Sequence, residues 1–139
     1  MIEIAAPRQE VWQLVSSGEG FAKWWASDIV VASASPEVLE IGFFGRTTVY
    51  RLRAEVLNPV QVAAWRCETG GEWIGTRIAF DLLGREARTL LRFEHSGWKE
   101  ASDYFVSCNT TWGELMFRLK AAAEGKVPGP LFSATSMSY

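Results

Sequence analysis

Hydrophobic residues recur at every third or fourth position between residues 100 and 124. The series is Ala101, Tyr104, Cys108, Trp112, Leu115, Leu119 and Ala122, widened by Phe105 and Met116. Because positions three and four apart share one face of an α-helix, this spacing predicts a single amphipathic helix. Gly125 and Pro128 follow it as stop signals. At about 1.5 Å per residue such a helix is more than about 30 Å long, so a layer of similar breadth must cover its apolar face.

Between residues 28 and 95 the apolar positions alternate with polar ones, which is typical of β-strands with one buried face. The predicted strands are 29–31, 38–44, 48–57, 60–67, 73–83 and 88–95. In 48–57 the expected inner residues are Tyr50, Leu52, Ala54 and Val56, and the outer ones are Arg51, Arg53 and Glu55. One charged face and one apolar face indicate an antiparallel sheet covered on a single side, and the C-terminal helix is the available cover.

The N-terminal part of the chain predicts a short strand, 2–5, followed by two short helices. Pro7 suits the first turn of a helix over 7–17, and the second helix, 19–25, ends in the pair Trp24 and Trp25. Successive residues on a helix point about 100° apart, so at most one of the two tryptophans is expected to face fully inward. They are expected to anchor the core or, alternatively, to form the rim of a pocket.

The 139 residues carry a formal net charge of -2, with acidic and basic side chains interleaved. This length predicts one domain, residues 1–126, and a tail, residues 127–139, that is poorly ordered or draped over the surface. Without a basic or acidic run, neither a nucleic acid nor an anionic membrane is an expected partner. The N-terminal sequence predicts neither a signal peptide nor a transmembrane helix, so a cytoplasmic protein is expected.

The metal-binding and cofactor-binding signals of the sequence are weak. Cys67 and Cys108 lie far apart, and His95 is the single histidine, so a zinc site is not expected. Both cysteines are predicted to be reduced thiols in the core. The glycine pairs lack the spacing of a phosphate-binding loop, and we therefore predict neither a metal nor a cofactor.

Several short motifs carry a resemblance to a known superfamily. They are Ala6-Pro7 with Glu10-Val11-Trp12, Trp24-Trp25, Trp73-Ile74-Gly75-Thr76, the segment 91–98, and Cys108 with Trp112 and Leu115. Together they resemble the SRPBCC or START-like superfamily, in particular bacterial proteins similar to the C-terminal domain of the activator of a heat-shock chaperone's ATPase. The resemblance implies an α+β helix-grip fold: a curved antiparallel sheet of six to seven strands wraps around a long C-terminal helix, with two short helices after the first strand.

Aromatic residues are the main candidates for a binding site. A cluster is predicted to converge between sheet and helix, and it either fills the core or lines a pocket for a small molecule. The candidate ligand-binding residues are Trp65, Ile78, Phe80, Leu91, Phe93, His95, Tyr104, Cys108, Asn109 and Trp112. His95 and Asn109 would supply polar groups to such a pocket, together with Thr110 and Thr111.

His95 is also the main candidate for acid or base catalysis, since its parity places it on the inner face of its strand. The alternative is a half-buried histidine that is hydrogen-bonded to the backbone. No nucleophile motif is present, and a thiol such as Cys108 among apolar neighbours is expected to be inert. No catalytic residue is therefore assigned.

Three functions follow as hypotheses. The first is the binding of a small hydrophobic, aromatic or lipid-like molecule between sheet and helix. The second, implied by the resemblance, is a chaperone-associated interaction through the charged outer face of the sheet. The third is a cyclase-type or hydrolase-type enzyme that uses His95 as a base. A homodimer is a further hypothesis, with Leu131 and Phe132 as candidate contacts.

Overall fold

The computed structural model describes residues 1–133. The elements are β1 (Ile2–Ile4), α1 (Arg8–Val15), α2 (Gly18–Phe21), β2 (Ile29–Ala34), β3 (Glu37–Phe43), β4 (Thr48–Asn58), β5 (Val62–Cys67), a 3-10 turn (Gly71–Trp73), β6 (Arg77–Arg85), β7 (Arg88–Ser96) and α3 (Asp103–Ala123). All strand pairs are antiparallel, in the spatial order β1-β7-β6-β5-β4-β3-β2. The predicted α+β helix-grip fold is confirmed, with a curved seven-stranded sheet and a long C-terminal helix.

The long helix α3 begins two residues later than its hydrophobic pattern indicates. Ser102 is its N-cap, and the Ser102 hydroxyl accepts a hydrogen bond from the backbone N–H of Phe105 at 3.2 Å. Ala101 therefore lies outside the helix and is exposed. The helix ends as predicted near Gly125, whose φ of 89° is in the left-handed region that suits glycine.

The alternation of β4 holds as far as Ala54 and then breaks. The pairing register with β5 shifts between Ala54 and Val56, which marks a β-bulge. An extra residue in one strand moves the following side chains to the opposite face. Val56, predicted to point inward, is consequently exposed, and Leu57 packs against the core in its place.

The connection from β5 to β6 is longer than the predicted hairpin turn. Residues 73–76 were expected to open the strand, but β6 begins at Arg77 and Gly71–Trp73 forms a 3-10 turn. Within this connection Trp73 is buried, whereas Ile74 is 51% exposed. The connection thus places an aromatic side chain beside α3 instead of continuing the sheet.

Both members of the tryptophan pair are buried, contrary to the prediction that only one would face inward. The helix α2 ends at Phe21, so Trp24 and Trp25 follow in a turn and are not held at helical spacing. Their rings stack with centroids 5.9 Å apart. The indole N–H of Trp24 donates to the carbonyl of Leu14 at 2.9 Å, which satisfies a polar group that would otherwise be costly to bury.

The C-terminal segment 127–133 runs across the domain and pairs with the turn that holds the tryptophans. Phe132 N–H donates to the carbonyl of Trp25 at 3.0 Å, and Ser27 N–H donates to the carbonyl of Phe132 at 2.9 Å. Leu131 is buried and Phe132 packs against the core. The Ser-rich end of the predicted tail, residues 134–139, lies outside the described residues.

The outer face of the sheet carries ion pairs that cross from strand to strand. Glu55 pairs with Arg66 at 2.7 Å and with Arg77 at 3.3 Å. Glu68 pairs with Arg53 at 3.2 Å. These pairs are partly exposed, so each contributes little to stability, but opposite charges on neighbouring strands favour the observed register.

Candidate functional site

A cleft of about 710 Å³ opens beside the N-terminal half of α3. The turn between β3 and β4, the connection between β5 and β6, and the C-terminal segment form its other sides. The lining residues are Trp25, Phe43, Phe44, Thr47, Thr48, Val49, Tyr50, Gly70, Gly71, Glu72, Trp73, Tyr104, Ser107, Cys108, Thr111, Trp112, Leu115 and Phe132. Aromatic rings on three sides make this the best-formed candidate site in the described part of the chain.

The floor of the cleft is a stack of aromatic rings. Tyr50 and Trp73 lie parallel, with centroids 4.1 Å apart and planes 7° apart. Trp112 lies 6.0 Å from Trp73 and 5.0 Å from Trp25. Such contacts add stability beyond area burial, roughly 0.5–1.5 kcal/mol per pair. The rings therefore hold one another in place without a ligand.

The missing side chain of a glycine leaves room for the Tyr50 ring. Gly70 has a φ of 111°, and a Cβ atom at Gly70 would lie 1.8 Å from Cδ1 of Tyr50. No side chain fits at that distance, and the left-handed backbone disfavours other residues as well. The Gly70 turn thus lies directly against the Tyr50 ring and fixes it against Trp73.

Two phenols form the polar centre of the cleft. The hydroxyls of Tyr50 and Tyr104 are hydrogen-bonded to each other. Burial raises the pKa of Tyr50, and burial together with the hydrogen bond shared with Tyr50 raises the pKa of Tyr104. Burial also raises the pKa of the neighbouring Cys108 thiol. All three groups are therefore neutral at physiological pH, and the thiol is a poor nucleophile.

Glu72 is the charged residue of the lining. Its Oε1 accepts a hydrogen bond from the Ser102 hydroxyl at 2.5 Å, which ties the 3-10 turn to the N-cap of α3. Within the described lining there is no lysine or arginine. Glu72 therefore brings a negative charge to this end of the cleft.

His95 lies behind the cleft and not in its lining. Its Nε2 is 2.8 Å from the Thr76 hydroxyl, and its Nδ1 accepts a hydrogen bond from the Trp112 indole at 3.1 Å. Since an indole N–H only donates, Nδ1 must be unprotonated and Nε2 carries the proton. Burial lowers the His95 pKa to about 4. Both ring nitrogens are hydrogen-bonded to side chains. The sequence interpretation had named the backbone as the partner.

The structure separates the ten predicted ligand-binding residues into groups. Tyr104, Cys108 and Trp112 line the cleft. Trp65, Ile78, Phe80 and Leu91 are fully buried and fill the core between sheet and helices. Phe93 is partly buried, with its ring 4.5 Å from that of Trp112. Asn109 points outward on the exposed face of α3, outside the cleft, because its position follows Cys108 by one residue and so turns away from the buried stripe.

Much of the lining escaped the sequence interpretation because it comes from turns. Phe43 and Phe44 lie at the β3–β4 turn, and Trp73 lies in the 3-10 turn. Strand parity cannot assign the direction of a side chain in a turn. The usable signal was the position of aromatic residues beside glycines, as in Phe44-Gly45 and Gly71-Glu72-Trp73.

Residues 1–133 contain neither a metal-binding cluster nor a membrane-spanning helix. No three His, Cys, Asp or Glu side chains there come together in a way that could hold a metal ion. In the same residues, no helix combines the length and the apolar character that crossing a membrane requires.

No protein-family model and no curated protein sequence matches the chain. Solved structures do match it. The solution structure of the Aha1 dimer from Colwellia psychrerythraea is 30% identical over 89% of this chain and 92% of that one, with a TM-score of 0.75. An AHSA1-like protein from Rhizobium etli is 24% identical over 94% and 84% of the two chains, with a TM-score of 0.66.

CalU16 from Micromonospora echinospora is 16% identical over 93% of this chain and 66% of that one, with a TM-score of 0.73. At this identity the likeness concerns the fold alone. The match to the Colwellia protein extends to the sequence and covers nearly the whole of both chains. In agreement with the motifs in its sequence, the chain belongs to the Aha1-like branch of the SRPBCC superfamily.

Proposed function

We propose that the cleft binds a small molecule with an apolar, planar body. The observation that carries this proposal is the stack formed by Tyr50, Trp73 and Trp112 along a cleft of about 710 Å³. Small-molecule sites have volumes of roughly 300–1,000 Å³ and combine apolar walls with a few polar groups. The cleft matches this description in size, in aromatic content and in its single pair of phenols.

The lining is held in place by contacts that need no ligand. Trp112 is held through its indole N–H by His95, and Tyr50 is held between Trp73 and the Gly70 turn. A site whose side chains are already ordered loses less conformational entropy when a ligand binds. The arrangement therefore supports binding to a preformed site.

Two substitutions on neighbouring positions of α3 test the proposal. Ser107 lines the cleft, whereas Asn109 is exposed outside it. The indole of Ser107→Trp would fill the cleft, whereas the indole of Asn109→Trp would lie on the solvent-exposed face of α3. With the uncharged fluorophore N-phenyl-1-naphthylamine as a probe, we expect at least tenfold weaker binding in Ser107→Trp and wild-type binding in Asn109→Trp.

Each other outcome counts against the proposal. If the wild-type protein does not bind the probe at all, or if the two variants bind it equally well, the cleft is not the binding site. Thermal unfolding of both variants checks that the fold is retained.

The family supports a second candidate, an interaction with a heat-shock chaperone. The chain is 30% identical to an Aha1 protein, and the outer face of the sheet carries partly exposed, ion-paired side chains such as Arg53 and Arg66. Titration of a purified heat-shock chaperone ATPase with this protein tests it. Stimulation that is lost in Arg53→Glu would support the role, and an unchanged ATPase rate at saturating protein would exclude it.

The enzyme hypothesis receives no support from the position of His95. Both nitrogens of its ring are hydrogen-bonded, and the ring does not line the cleft.

A homodimer is supported by the dimeric Colwellia protein, although Leu131 is buried within its own chain and Phe132 lines the cleft. We propose a homodimer and a cytoplasmic location, to be tested by light scattering and by cell fractionation.

A further inference from the structure

Three hydrogen-bond donors meet along one wall of the cleft. Tyr50 and Tyr104 bring two O–H groups, and their mutual hydrogen bond uses one of them. The neighbouring Cys108 thiol is a weak partner for the other. Trp73 adds a buried indole N–H that meets no acceptor at hydrogen-bonding geometry among residues 1–133, although the Cys108 thiol lies close to it.

The mutual hydrogen bond of Tyr50 and Tyr104 leaves one O–H of the pair with only the weak Cys108 thiol beside it, so an oxygen acceptor on a ligand gains a hydrogen bond there. From this arrangement we infer that the ligand is an uncharged molecule that offers one oxygen acceptor, such as a ketone, to the hydroxyl pair of Tyr50 and Tyr104. The inference rests on the proposed function and specifies the class of ligand for the same cleft.

The two phenols are suited to donate rather than to carry charge. Burial raises the pKa of both, so each keeps its proton across the physiological range. Tyr50 is 7% exposed and fixed by stacking on Trp73, while Tyr104 is 37% exposed and lies at the opening of the cleft. An acceptor that enters beside Tyr104 therefore meets an oriented hydroxyl pair.

The charges around the cleft exclude an anionic ligand. Glu72 lines the cleft, and its negative charge adds to the raised pKa of both Tyr50 and Cys108. Arg46, in the turn next to Phe44, is already paired with Asp28 at 2.5 Å and with Glu40 at 3.1 Å. A carboxylate in the cleft would thus lose its hydration and meet a like charge, with no lysine or arginine in the described lining of the cleft to compensate.

A series of matched probes tests this inference. The probes are 2-acetylnaphthalene, 2-ethylnaphthalene and 2-naphthoate, which share one aromatic body and differ in a ketone, a hydrocarbon and a carboxylate group. Binding is measured by quenching of tryptophan fluorescence in the wild-type protein, in Tyr104→Phe and in Tyr50→Phe. The Phe variants keep the rings and remove the hydroxyls, and their thermal unfolding shows whether they fold.

We expect the ketone to bind about fivefold more weakly to either Phe variant than to the wild-type protein, as the loss of one hydrogen bond predicts. The hydrocarbon should bind equally to all three proteins. The carboxylate should bind at least tenfold more weakly than the ketone, and Glu72→Gln should recover part of that difference.

The outcomes separate this inference from the proposed function. If the hydrocarbon binds but the ketone is unaffected by both Phe substitutions, the cleft is a binding site and the inference is wrong. A carboxylate that binds as tightly as the ketone also overturns the inference. If none of the three probes binds to the wild-type protein, the proposed function itself fails.

Discussion

The indole N–H of Trp112 donates a hydrogen bond to Nδ1 of His95 over 3.1 Å. On the other side of the same ring, Nε2 is hydrogen-bonded to the Thr76 hydroxyl, which itself donates to the carbonyl of Trp73 at 2.6 Å. This series of hydrogen bonds connects β7, α3, the 3-10 turn and Thr76, which immediately precedes β6. Neutral His95 therefore holds Trp112, a residue of the cleft wall, in place.

The first prediction concerns the dependence of stability on pH. Burial lowers the His95 pKa from 6.5 to about 4, so between these values the unfolded chain binds the extra proton and the folded chain does not. Stability is then complete above about pH 6.5 and falls as the pH decreases toward 4. The loss is on the order of 3 kcal/mol at most.

Urea unfolding between pH 4 and pH 8 measures this loss, with His95→Gln as the control. Glutamine offers an oxygen to Trp112 and an N–H group to Thr76 but does not titrate. Carboxylates such as Glu55, whose pKa is lowered chiefly by its hydrogen bond with Arg66, titrate in both proteins. The difference between the proteins isolates His95, and parallel pH profiles would contradict the prediction.

The second prediction concerns the His95 pKa itself. In Trp112→Phe, Nδ1 loses the donor that favours its unprotonated state, and we expect the His95 pKa to rise from about 4 toward its ordinary value. Because the chain has one histidine, its imidazole signals in an NMR titration are assigned without ambiguity.

Trp98→Phe is the matched control for this titration. The Trp98 indole also donates to His95, but to the backbone carbonyl, at 3.2 Å, and not to the ring. We expect its substitution to change the His95 pKa less. Equal shifts in the two variants would show that packing of the indoles, and not the hydrogen bond to Nδ1, determines the pKa.

The third prediction separates two glycines of one turn. Gly70→Ala places a Cβ atom 1.8 Å from Cδ1 of Tyr50, whereas Gly71→Ala meets nothing within 4 Å. Both have positive φ, at 111° and 61°, so each substitution strains the backbone by roughly 1–2 kcal/mol. Only Gly70→Ala should also displace Tyr50 from Trp73.

Thermal unfolding and probe binding measure the two effects. We expect a lower Tm in both variants, a larger decrease in Gly70→Ala, and weaker binding of N-phenyl-1-naphthylamine in Gly70→Ala alone. If the two variants lose binding to the same extent, backbone strain and not the position of Tyr50 controls the cleft.

The fold was predictable because the spacing of apolar residues along the chain reflects which side chains are buried. Thr89 and Leu91 share the parity that predicted an inner position for His95, and both are fully buried. The spacing in α3 likewise placed Trp112, Leu115 and Leu119 in the core. Regular elements hold their side chains at fixed directions, so an apolar series translates directly into a face.

The site was predictable only in part, because its geometry depends on irregular backbone. The bulge that turns Val56 outward shifts the pairing register of β4, and the alternation of apolar and polar residues gives no sign of it. Trp73 was expected to begin a strand, and instead a 3-10 turn directs it toward Tyr50. Trp65 and Phe80 have the aromatic character expected of a pocket, but periodicity does not distinguish a filled core from an open one.

The last prediction concerns the C-terminal segment. The guanidinium of Arg118 donates to three successive backbone carbonyls, those of Pro128 at 2.7 Å, Gly129 at 3.0 Å and Pro130 at 3.5 Å. Hydrogen bonds to a charged group are worth roughly 1.5–3 kcal/mol each at best. Arg118→Ala should therefore release the segment and with it Phe132, which forms a side of the cleft.

Lys120→Ala, two residues further along the same helix, is the matched control for Arg118→Ala. Lys120 donates to the carbonyl of Glu3 at 2.8 Å and to Glu124 at 2.7 Å, so its loss affects β1 and not the C-terminal segment. In Arg118→Ala alone we expect faster amide hydrogen exchange at Leu131 and Phe132, whose N–H groups bond to the tryptophan turn. Because this exchange measures local opening, unchanged protection would mean that packing of Leu131 anchors the segment without Arg118.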